Sequence, residues 1–351
     1  MKVRLNKSRY VGDGEPPYII AEIGSNHNGD MDIARKLIDA AKGAGADCVK
    51  FQSWSKTTLF SKVKYEENYF LADDYRNRDD YTLEEIVDAF SIDEKQLKEM
   101  ADYCRKVGID FTSTPFSKSE VDYLVDDLCV DFIKIASMDL NNYPFLEYVA
   151  GKGLPIVLST GLSTLAEIDT AVNTIEDAGC NNLIILHCVS IYPPDDEQVN
   201  LKNMDSLSAI YPYPIGFSDH TFGTCVPLAA VARGACIIEK HFTLDKNMFG
   251  WDHKVSADIE EMSIISRDAI RVHSSLGSGR IVQMENEERL ESFRRSIVAA
   301  KPIKKGELIK IDMLDFKRPG RGLPPEAVKY LVGKTAKRDI DYDDVIYLED
   351  F

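Results

Sequence analysis

The sequence predicts a (β/α)₈ barrel followed by a small β-rich domain, and three observations support this prediction. Eight short β-branched runs, each ending in polar or small residues, alternate with stretches of helical period. Parallel strands need crossover helices, and eight such units are the number that closes a sheet into a barrel. After Gly279 the helical period fades, and turn signals such as Lys305-Gly306 appear between short strand-like pieces.

The elements follow in regular order along the chain. The predicted strands are residues 18–24, 47–54, 110–116, 131–138, 155–161, 183–190, 214–220 and 236–242. The predicted helices include residues 31–45, 92–108, 119–128, 166–179, 225–234 and 259–276. Several of these helices stop at a glycine, such as Gly108, which is typical of helix C-termini. A doubly wound open sheet is the alternative fold, but residues 24–29 after strand one lack the G-x-G-x-x-G pattern of dinucleotide-binding folds.

At this length one large domain plus a small one is expected, because single cores stop growing near ~250–300 residues. The predicted division is a barrel at residues 1–283, a charged, helix-prone linker at 284–295 and a small β-rich domain at 296–351. An insertion at residues 55–90 is rich in Tyr, Asp and Glu. It is long enough to form a lid over the barrel mouth.

Composition restricts the class of function. The chain has 58 Asp+Glu and 42 Lys+Arg, a formal net charge of −16, which opposes binding to nucleic acid or to an anionic membrane. No apolar run approaches the ~20 residues needed to cross a bilayer, and the N-terminus lacks a signal-peptide core, so a cytoplasmic protein is predicted. The seven cysteines are scattered and form no C-x-x-C pair, which favours reduced thiols. The expected partners are therefore small molecules.

Polar residues stand at the end of every predicted strand. In a (β/α)₈ barrel these ends and their loops converge on one pocket, where the chemistry takes place. A full ring of polar strand ends therefore predicts a functional site. The polar residues at the strand ends are Glu22, Lys50, Gln52, Thr112, Ser113, Thr114, Lys134, Ser137, Ser159, Thr160, His187, Ser190, Ser218, Asp219, His220, Glu239, Lys240 and His241.

Two lysines, Lys50 and Lys134, lie inside apolar runs and are predicted to be buried at the barrel mouth. No nearby fixed carboxylate can be identified, so a ligand anion is the favoured partner, with buried structural ion pairs as the alternative. Lys134 and Ser137 are three positions apart and cannot both face inward on a regular strand, which predicts a bend between them. The hydroxyls that could donate to a phosphate are Thr114, Ser137, Ser159 and Ser218.

Two histidines, His220 and His241, end the seventh and eighth predicted strands, which are neighbours in a closed barrel. Two neutral imidazoles at adjacent strand ends can hold a divalent first-row metal ion, with water or substrate completing the shell. Glu239 shares the parity of His241, so it is a candidate ligand or a candidate base for bound water. Glu22, isolated at the end of strand one, is a candidate for proton transfer or for a hydrogen bond to a sugar hydroxyl.

An ordered series of segments covers nearly the whole chain. The segments are Ala21-Glu22-Ile23-Gly24-Ser25-Asn26-His27-Asn28-Gly29, Val49-Lys50-Phe51-Gln52, Ser113-Thr114-Pro115-Phe116, Lys134-Ile135-Ala136-Ser137, Leu158-Ser159-Thr160-Gly161, Leu186-His187-Cys188, Gly216-Phe217-Ser218-Asp219-His220-Thr221, Glu239-Lys240-His241-Phe242 and Lys317-Arg318-Pro319-Gly320. This series resembles the sialic acid (N-acetylneuraminate) synthases and their legionaminic and pseudaminic acid relatives. The resemblance implies condensation of phosphoenolpyruvate with an open-chain N-acetylated amino-sugar, giving a nine-carbon 2-keto acid and phosphate. It also implies a metal-dependent barrel, a C-terminal antifreeze-like (SAF) domain and a homodimer that exchanges those small domains.

The resemblance also assigns roles to residues, with His220 and His241 binding Mn²⁺ or, failing that, Mg²⁺ or Co²⁺. The implied phosphoenolpyruvate ligands are Lys50, Thr114, Lys134, Ser137, Ser159 and Ser218. The implied residues of the sugar half are Gln52, Asp139, Ser190, Tyr192, Asp252 and Arg318. Of these, Arg318 is expected to enter the partner subunit's pocket and to hold the acyl group of the sugar. Glu22 is the candidate that manages the proton of the water added at C2.

Three departures from the family pattern leave the acceptor sugar open. Asp139 replaces a common Glu, Ser190 replaces a common Asn, and Trp251 precedes Asp252 where Pro is usual. N-Acetylmannosamine and a 2,4-diacetamido-6-deoxy hexose are therefore both candidates, followed by the pseudaminic acid precursor. Two other classes of function remain as alternatives, a Schiff-base aldolase that uses Lys134 or Lys50 and a non-catalytic sugar-binding protein.

Overall fold

The computed structural model describes residues 1–68 and 82–351, and the chain forms two compact units, Met1–Gly277 and Ser278–Phe351. The first unit begins with a hairpin of β1 (Lys2–Arg4) and β2 (Tyr10–Gly12). Eight parallel strands follow, each lying inside one of the predicted runs. They are β3 (Tyr18–Gly24), β4 (Cys48–Gln52), β5 (Asp110–Thr114), β6 (Ile133–Ile135), β7 (Ile156–Ser159), β8 (Leu183–Cys188), β9 (Ile215–Asp219) and β10 (Ile237–His241).

The strands form the wall of a barrel, as predicted. Their order in the sheet is β5-β4-β3-β10-β9-β8-β7-β6, so the first and last barrel strands are neighbours. In that junction His241 pairs with Glu22 and Glu239 pairs with Ile20. The two ends of the sheet, β5 and β6, also lie side by side. There the Thr112 hydroxyl donates a hydrogen bond of 2.9 Å to the Phe132 carbonyl.

Helices cross over between the strands. Those of the first unit are α1 (Met31–Gly43), α2 (Lys56–Leu59), α3 (Lys62–Glu67), α4 (Leu83–Phe90), α5 (Glu94–Val107), α6 (Lys118–Asp122, continued by a π-helical turn), α7 (Tyr143–Ala150), α8 (Leu165–Asp177), α9 (Asp196–Val199), α10 (Asn203–Ile210), α11 (Cys225–Ala232) and α12 (Ile259–Leu276). Gly108 ends α5 in the left-handed conformation, with φ 74°. Within the described residues, no helix is both long and apolar enough to span a membrane.

The insertion predicted as a lid is described only in part, because residues 69–81 lie outside the described residues. The described parts contain α2, α3 and α4. Trp54 and Phe90 are buried there in an aromatic cluster that includes Trp251, whose ring centroid lies 5.6 Å from that of Trp54. This cluster brings the insertion next to the loop that follows β10.

Two apolar layers hold the barrel together because successive strand residues point to opposite faces. Residues that face outward, such as Ile19 and Val49, pack against the helices. Residues that face inward near the strand starts, such as Ile20 and Val157, pack with Val3 of the hairpin. The hairpin therefore closes the amino-terminal end of the barrel and leaves the carboxyl-terminal end for the polar residues.

The second unit has its own small core. It contains α13 (Glu287–Phe293), an antiparallel pair of β11 (Ser296–Ala299) and β12 (Leu314–Lys317), and α14 (Val328–Leu331). Ile297, Ile303, Ile309, Ile340 and Ile346 are all fully buried in this core. Residues 284–295, expected as a linker, carry α13 and belong to this unit.

Candidate functional site

The site lies at the carboxyl ends of the barrel strands, where inward-facing side chains change from apolar to polar. Lys50 and Lys134 are each 3% exposed, as their apolar surroundings predicted. Glu22 and Glu239 are also buried there, on the neighbouring strands β3 and β10. Four ionisable groups therefore share one water-poor space, where charges interact far more strongly than in water.

Each buried lysine faces a carboxylate, so the expectation that no fixed carboxylate lies nearby is wrong. Lys50 Nζ lies 2.5 Å from Glu22 Oε2 and donates to Thr114 Oγ1 at 2.9 Å. Lys134 Nζ lies 3.5 Å from Glu239 Oε1. Pairing of β3 with β4 places Lys50 beside Glu22, and closure of the barrel brings Lys134 near Glu239 from strands far apart in the sequence. A linear pattern shows neither contact. Because an ammonium has three N–H donors, a lysine with two partners retains one for a ligand.

The proton affinities of the four groups differ because their charged neighbours differ. Burial raises the pKa of the Glu22 carboxyl to about 7, although Lys50 opposes this. Burial also favours protonated Glu239, but Lys134 and Lys50 outweigh it and lower the pKa of Glu239. For Lys50, the charges of the two carboxylates outweigh burial and raise the pKa, whereas for Lys134 burial prevails and lowers it. Glu22 is thus the group of this cluster that changes charge near neutral pH.

The four predicted phosphate-binding hydroxyls lie at neighbouring strand ends. β6 ends at Ile135, and Ser137 begins a 3₁₀ turn, which is the bend that the spacing from Lys134 predicted. Ser137 Oγ accepts from the Gly161 amide at 3.0 Å, and Ser218 Oγ donates to Glu239 at 3.1 Å. Ser159 Oγ is buried and has no hydrogen-bond partner among the described residues, so it is available to a ligand.

The two histidines face each other at the ends of β9 and β10, with ring centroids 5.5 Å apart. His220 Nδ1 donates to the Val189 carbonyl at 2.9 Å, which leaves Nε2 as the nitrogen with a lone pair. His241 Nδ1 is buried without a hydrogen-bond partner in the described chain and lies 3.8 Å from Asp252 Oδ2. Burial lowers the pKa of His241 well below its ordinary value, so this imidazole is neutral, as a metal ligand must be.

Burial alone would lower the pKa of His220, but Cys188 outweighs it and raises the pKa above its ordinary value, so His220 must lose its proton before it can bind a metal ion. With that proton lost, these nitrogens fit a divalent first-row metal ion as two imidazole ligands. The described residues contain no group of three or more His, Cys, Asp or Glu side chains arranged to hold a metal. A metal ion here would therefore have two protein ligands and several positions open to water or substrate. That open shell is typical of a catalytic rather than a structural site.

Cys188 is a residue of the site that the sequence analysis treated only as a buried thiol. It lies at the end of β8, with contacts to His220 and Ser137. Burial alone would raise the pKa of the thiol, but His220 outweighs it and lowers the pKa to about 7. The position of Cys188 along its strand could have identified it as a pocket residue. Ile184, Leu186 and Cys188 are spaced two residues apart, so they share the inward face.

The predicted sugar-contacting residues divide between two places. Gln52 Nε2 donates to Glu22 Oε1 at 2.9 Å, and Gln52 Oε1 accepts from Trp54 Nε1 at 2.8 Å. The Tyr192 ring centroid lies 4.1 Å from that of His220. Gln52, Tyr192 and Asp252 are therefore brought together around Glu22 and the histidines.

Asp139 lies on the loop after β6, and Ser190 lies on the loop after β8, two residues before Tyr192. Ser190 Oγ is 3.9 Å from Cys188 Sγ. Asp139 ends the 3₁₀ turn after β6, where one of its oxygens is buried without a hydrogen-bond partner in the described residues and burial raises its pKa. Arg318 belongs to the second unit, where its guanidinium carbon lies 5.1 Å from the Phe293 ring centroid.

Some polar strand ends do not enter the pocket. His187 faces away from it and bonds through Nε2 to the Val199 carbonyl at 2.6 Å. Thr160 donates to the Leu186 carbonyl at 3.0 Å. Asp219 and Lys240 form a buried ion pair with each other at 2.5 Å. The ring predicted from the sequence thus divides by parity into pocket residues and residues that support the strands.

Side chains of the loop after β3 form hydrogen bonds with the loop after β10, which carries Asp252. Asn26 Nδ2 donates to the Phe242 carbonyl at 2.9 Å, and Asn28 Nδ2 donates to the Phe249 carbonyl at 2.6 Å. His253 Nε2 lies 3.2 Å from Asn28 Oδ1. Asn26 and Asn28 belong to the first segment of the ordered series, but no pattern in the sequence indicated this role.

Comparison with known proteins adds independent information. A model of the NeuB family matches residues 37–281, and a model of the SAF domain matches residues 294–351. The chain is 44% identical over 350 residues to an uncharacterized protein of Methanocaldococcus jannaschii, covering 99% of this chain and 98% of that protein. It is 39% identical over 331 residues to the N,N'-diacetyllegionaminic acid synthase of Campylobacter jejuni, covering 93% of this chain and 98% of that protein. The solved N-acetylneuraminic acid (sialic acid) synthetase of Leptospira borgpetersenii has a TM-score of 0.73 and 33% identity, covering 82% of this chain and 94% of that chain.

Proposed function

The chain belongs to the NeuB family and carries a SAF domain after its barrel, and we propose that it condenses phosphoenolpyruvate with an open-chain N-acetylated amino-sugar. The products are a nine-carbon 2-keto sugar acid and phosphate. The observation that carries this proposal is the buried pair Lys50 and Lys134 beside the facing imidazoles of His220 and His241. One half of such a pocket suits an anion, and the other half suits a metal ion with an oxygen ligand.

Phosphoenolpyruvate is held in the lysine half. Its phosphate and carboxylate accept from the N–H groups that Lys50 and Lys134 retain beside their carboxylate partners. The unpaired Ser159 hydroxyl supports this, because a buried donor without a protein partner is costly unless a ligand takes it. Thr114, Ser137 and Ser218 complete the ring of donors.

Mn²⁺ is the proposed metal ion, with His220 and His241 as its ligands. Mg²⁺ and Co²⁺ are the other candidates, although Mg²⁺ strongly prefers oxygen ligands to imidazole nitrogen. An ion held there would supply Lewis acidity to the aldehyde of the acceptor. Tyr192 and Asp252 lie beside the same histidines, so they orient the acceptor at this end of the pocket.

The reaction forms one C–C bond and breaks one C–O bond. C3 of phosphoenolpyruvate attacks the aldehyde carbon, whose oxygen becomes a hydroxyl. Water adds at C2 through a new C–O bond, and phosphate then leaves with its bridging oxygen as C2 becomes a ketone. Of the two protons of that water, one ends on the new hydroxyl and the other on phosphate. Ionised Glu22 accepts a proton of that water, and Lys50, 2.5 Å away, stabilises its carboxylate beforehand. The lysines also face the negative charge of the departing phosphate.

The acceptor is a hexose with an N-acetyl group at C2. The identity with a legionaminic acid synthase supports a 2,4-diacetamido-6-deoxy hexose ahead of N-acetylmannosamine, and the pseudaminic acid precursor comes third. Phosphate release from phosphoenolpyruvate, measured with each sugar in turn, tests both the reaction and the acceptor. Release that needs no sugar, or that never occurs with any of the three, would contradict the proposal. Release with a sugar also eliminates a purely sugar-binding role.

A Schiff-base aldolase is the second candidate, and one observation favours it. Burial lowers the pKa of Lys134, and a lowered amine pKa is what a Schiff-base lysine requires. Borohydride added with pyruvate or with the keto acid product would then attach the substrate covalently to Lys134. We expect an unchanged protein mass in that experiment, because the Lys134 amine is engaged by Glu239 and the Ile135 carbonyl.

A further inference from the structure

One buried ion pair of the barrel has no part in the pocket. Asp219 and Lys240 are each 1% exposed, and their Oδ2 and Nζ atoms are 2.5 Å apart. Lys240 Nζ also donates to the Thr221 carbonyl at 2.6 Å. The Thr221 amide in turn donates to Asp219 Oδ1 at 2.9 Å. Three groups from two strand ends thus form one closed set of hydrogen bonds.

The position of this pair relative to the histidines is specific. Lys240 and Asp219 are register partners on β10 and β9, and each stands one residue before a histidine of the site. Because strand residues alternate, Ser218 and Glu239 face the pocket, the ion pair faces away, and the imidazoles face the pocket again. The ion pair therefore lies behind the two imidazoles, on the other side of the barrel wall.

His220 needs support beyond the sheet. β9 ends at Asp219, so the β9–β10 ladder does not extend to His220. The Lys240 ammonium pairs with the carboxylate of Asp219, the residue before His220. It also donates to the main-chain carbonyl of Thr221, the residue after His220. His220 is therefore held on both sides by one residue of β10, the residue that precedes His241.

We propose that Asp219 and Lys240 are positioning residues that set the separation of the His220 and His241 imidazoles and so the affinity of the site for a divalent metal ion. This inference rests on the metal site of the proposed function. Groups that orient metal ligands typically change metal affinity 10–100-fold when they are removed. A role in stability alone is the competing explanation, because breaking a buried ion pair destabilises any fold.

A double substitution separates the two explanations. Replacing both charges by apolar side chains removes the cost of a lone buried charge and is often neutral or stabilising. It cannot restore a donor to the Thr221 carbonyl. The variants are Lys240→Met, Asp219→Leu/Lys240→Met and, as a control that breaks the Lys152–Asp122 ion pair on the outer helices, Lys152→Met.

Mn²⁺ binding to the full-length protein is measured from the electron paramagnetic resonance signal of free Mn²⁺, and the melting temperature is measured on the same samples. We expect one Mn²⁺ per chain in the unsubstituted protein and in Lys152→Met. We expect Kd to rise by about 10–100-fold in Lys240→Met and to stay raised in the double variant even where its melting temperature recovers.

Two results would overturn the inference, and they differ. If Mn²⁺ affinity is unchanged in Lys240→Met, or recovers together with the melting temperature in the double variant, the ion pair has only a structural role and the metal site stands. If the unsubstituted protein binds no Mn²⁺, the metal site of the proposed function is wrong, and the positioning role falls with it.

Discussion

Glu22 and Lys50 form an ion pair in which Oε2 and Nζ are 2.5 Å apart and both side chains are almost fully buried. They lie on neighbouring strands in register with each other, β3 and β4. The pair combines a carboxyl whose pKa burial raises to about 7 with a lysine that retains its charge. A group that titrates in this range is suited to proton transfer at neutral pH.

The pH dependence of turnover follows from Glu22. Because its pKa is raised to about 7, the carboxyl is protonated below that pH in the folded enzyme and cannot accept a proton. We expect kcat/KM to fall as the pH decreases through about 7 and to level off above it. The pH–rate profile tests this. Glu22→Gln should lose most of the activity, and its remaining kcat/KM should no longer fall as the pH decreases through about 7. A rate that stays constant across this range would argue against Glu22 as the base.

Loss of the metal site should abolish activity. We expect His241→Ala to lose both turnover and retained Mn²⁺, because one imidazole alone is a weak site for a divalent ion. A chelator should inactivate the unsubstituted enzyme, and added Mn²⁺ should restore it. His273→Gln, on α12 outside the site, is the matched control. Full activity in metal-free buffer would contradict the proposal.

Lys134 should govern the affinity for phosphoenolpyruvate. Lys134→Met alone leaves Glu239 as an unpaired buried charge, which costs about 3–5 kcal/mol of folding free energy. The double variant Lys134→Met/Glu239→Gln removes both charges, so we expect near-normal stability with phosphoenolpyruvate affinity at least tenfold lower. Calorimetric titration and thermal unfolding measure the two quantities. Unchanged affinity in the double variant would place the anion elsewhere.

Arg318 should act on the acceptor alone. Its side chain is exposed in the second unit, so Arg318→Ala should change the free energy of unfolding by less than about 1 kcal/mol. We expect the KM for the sugar to rise and the KM for phosphoenolpyruvate to stay the same. Mixing Arg318→Ala with a His241→Ala chain should restore part of the activity if the arginine enters the partner's pocket. Identical sugar kinetics in the variant would refute that role.

Acid should destabilise the barrel through His27. Burial lowers its pKa from 6.5 to about 4, so between these values the unfolded chain binds a proton that the folded chain does not. The contribution of His27 to the free energy of unfolding therefore falls with decreasing pH, by up to about 1.4 kcal/mol per pH unit. Glu22 contributes in the opposite direction, because its pKa is higher in the folded chain. Urea unfolding at pH 7, 6 and 5 measures the slope. His27→Gln should remove the His27 contribution, so the parent should lose more stability than the variant as the pH falls. A difference between the two proteins that stays constant with pH would mean that other groups cause the slope.

Much of this architecture could be predicted from local patterns. The β-branched runs identified all eight barrel strands, and the spacing of Lys134 and Ser137 predicted the bend between them. Helix α10 was not among the predicted helices, because only Met204 and Leu207 of it are buried, too few to give an apolar helical period. The apolar runs around Lys50 and Lys134 correctly predicted burial.

What the sequence could not supply was the pairing across the barrel. Glu22 and Lys50 are 28 positions apart, and Lys134 and Glu239 are 105 apart. The pairing of β3 with β4 makes the first two residues neighbours, and closure of the sheet brings the other two together. The register of β9 and β10 likewise decides that Asp219 meets Lys240 behind the wall while Ser218 meets Glu239 inside it. The alternation of side chains along each strand predicts which face of the sheet each residue occupies. Only the pairing of the strands shows which residues meet on that face.

The hairpin of β1 and β2 has a kinetic consequence. Val3, Leu5 and Val11 fill the amino-terminal end of the barrel, so substrates can reach the site only from the carboxyl-terminal end. Lys50 and Lys134 are each 3% exposed and Tyr192 is 36% exposed, so the lysines lie deeper than the tyrosine. Two substrates that enter through the same opening cannot bind in random order when one of them binds deeper than the other. Under the proposed assignments, phosphoenolpyruvate must arrive before the sugar.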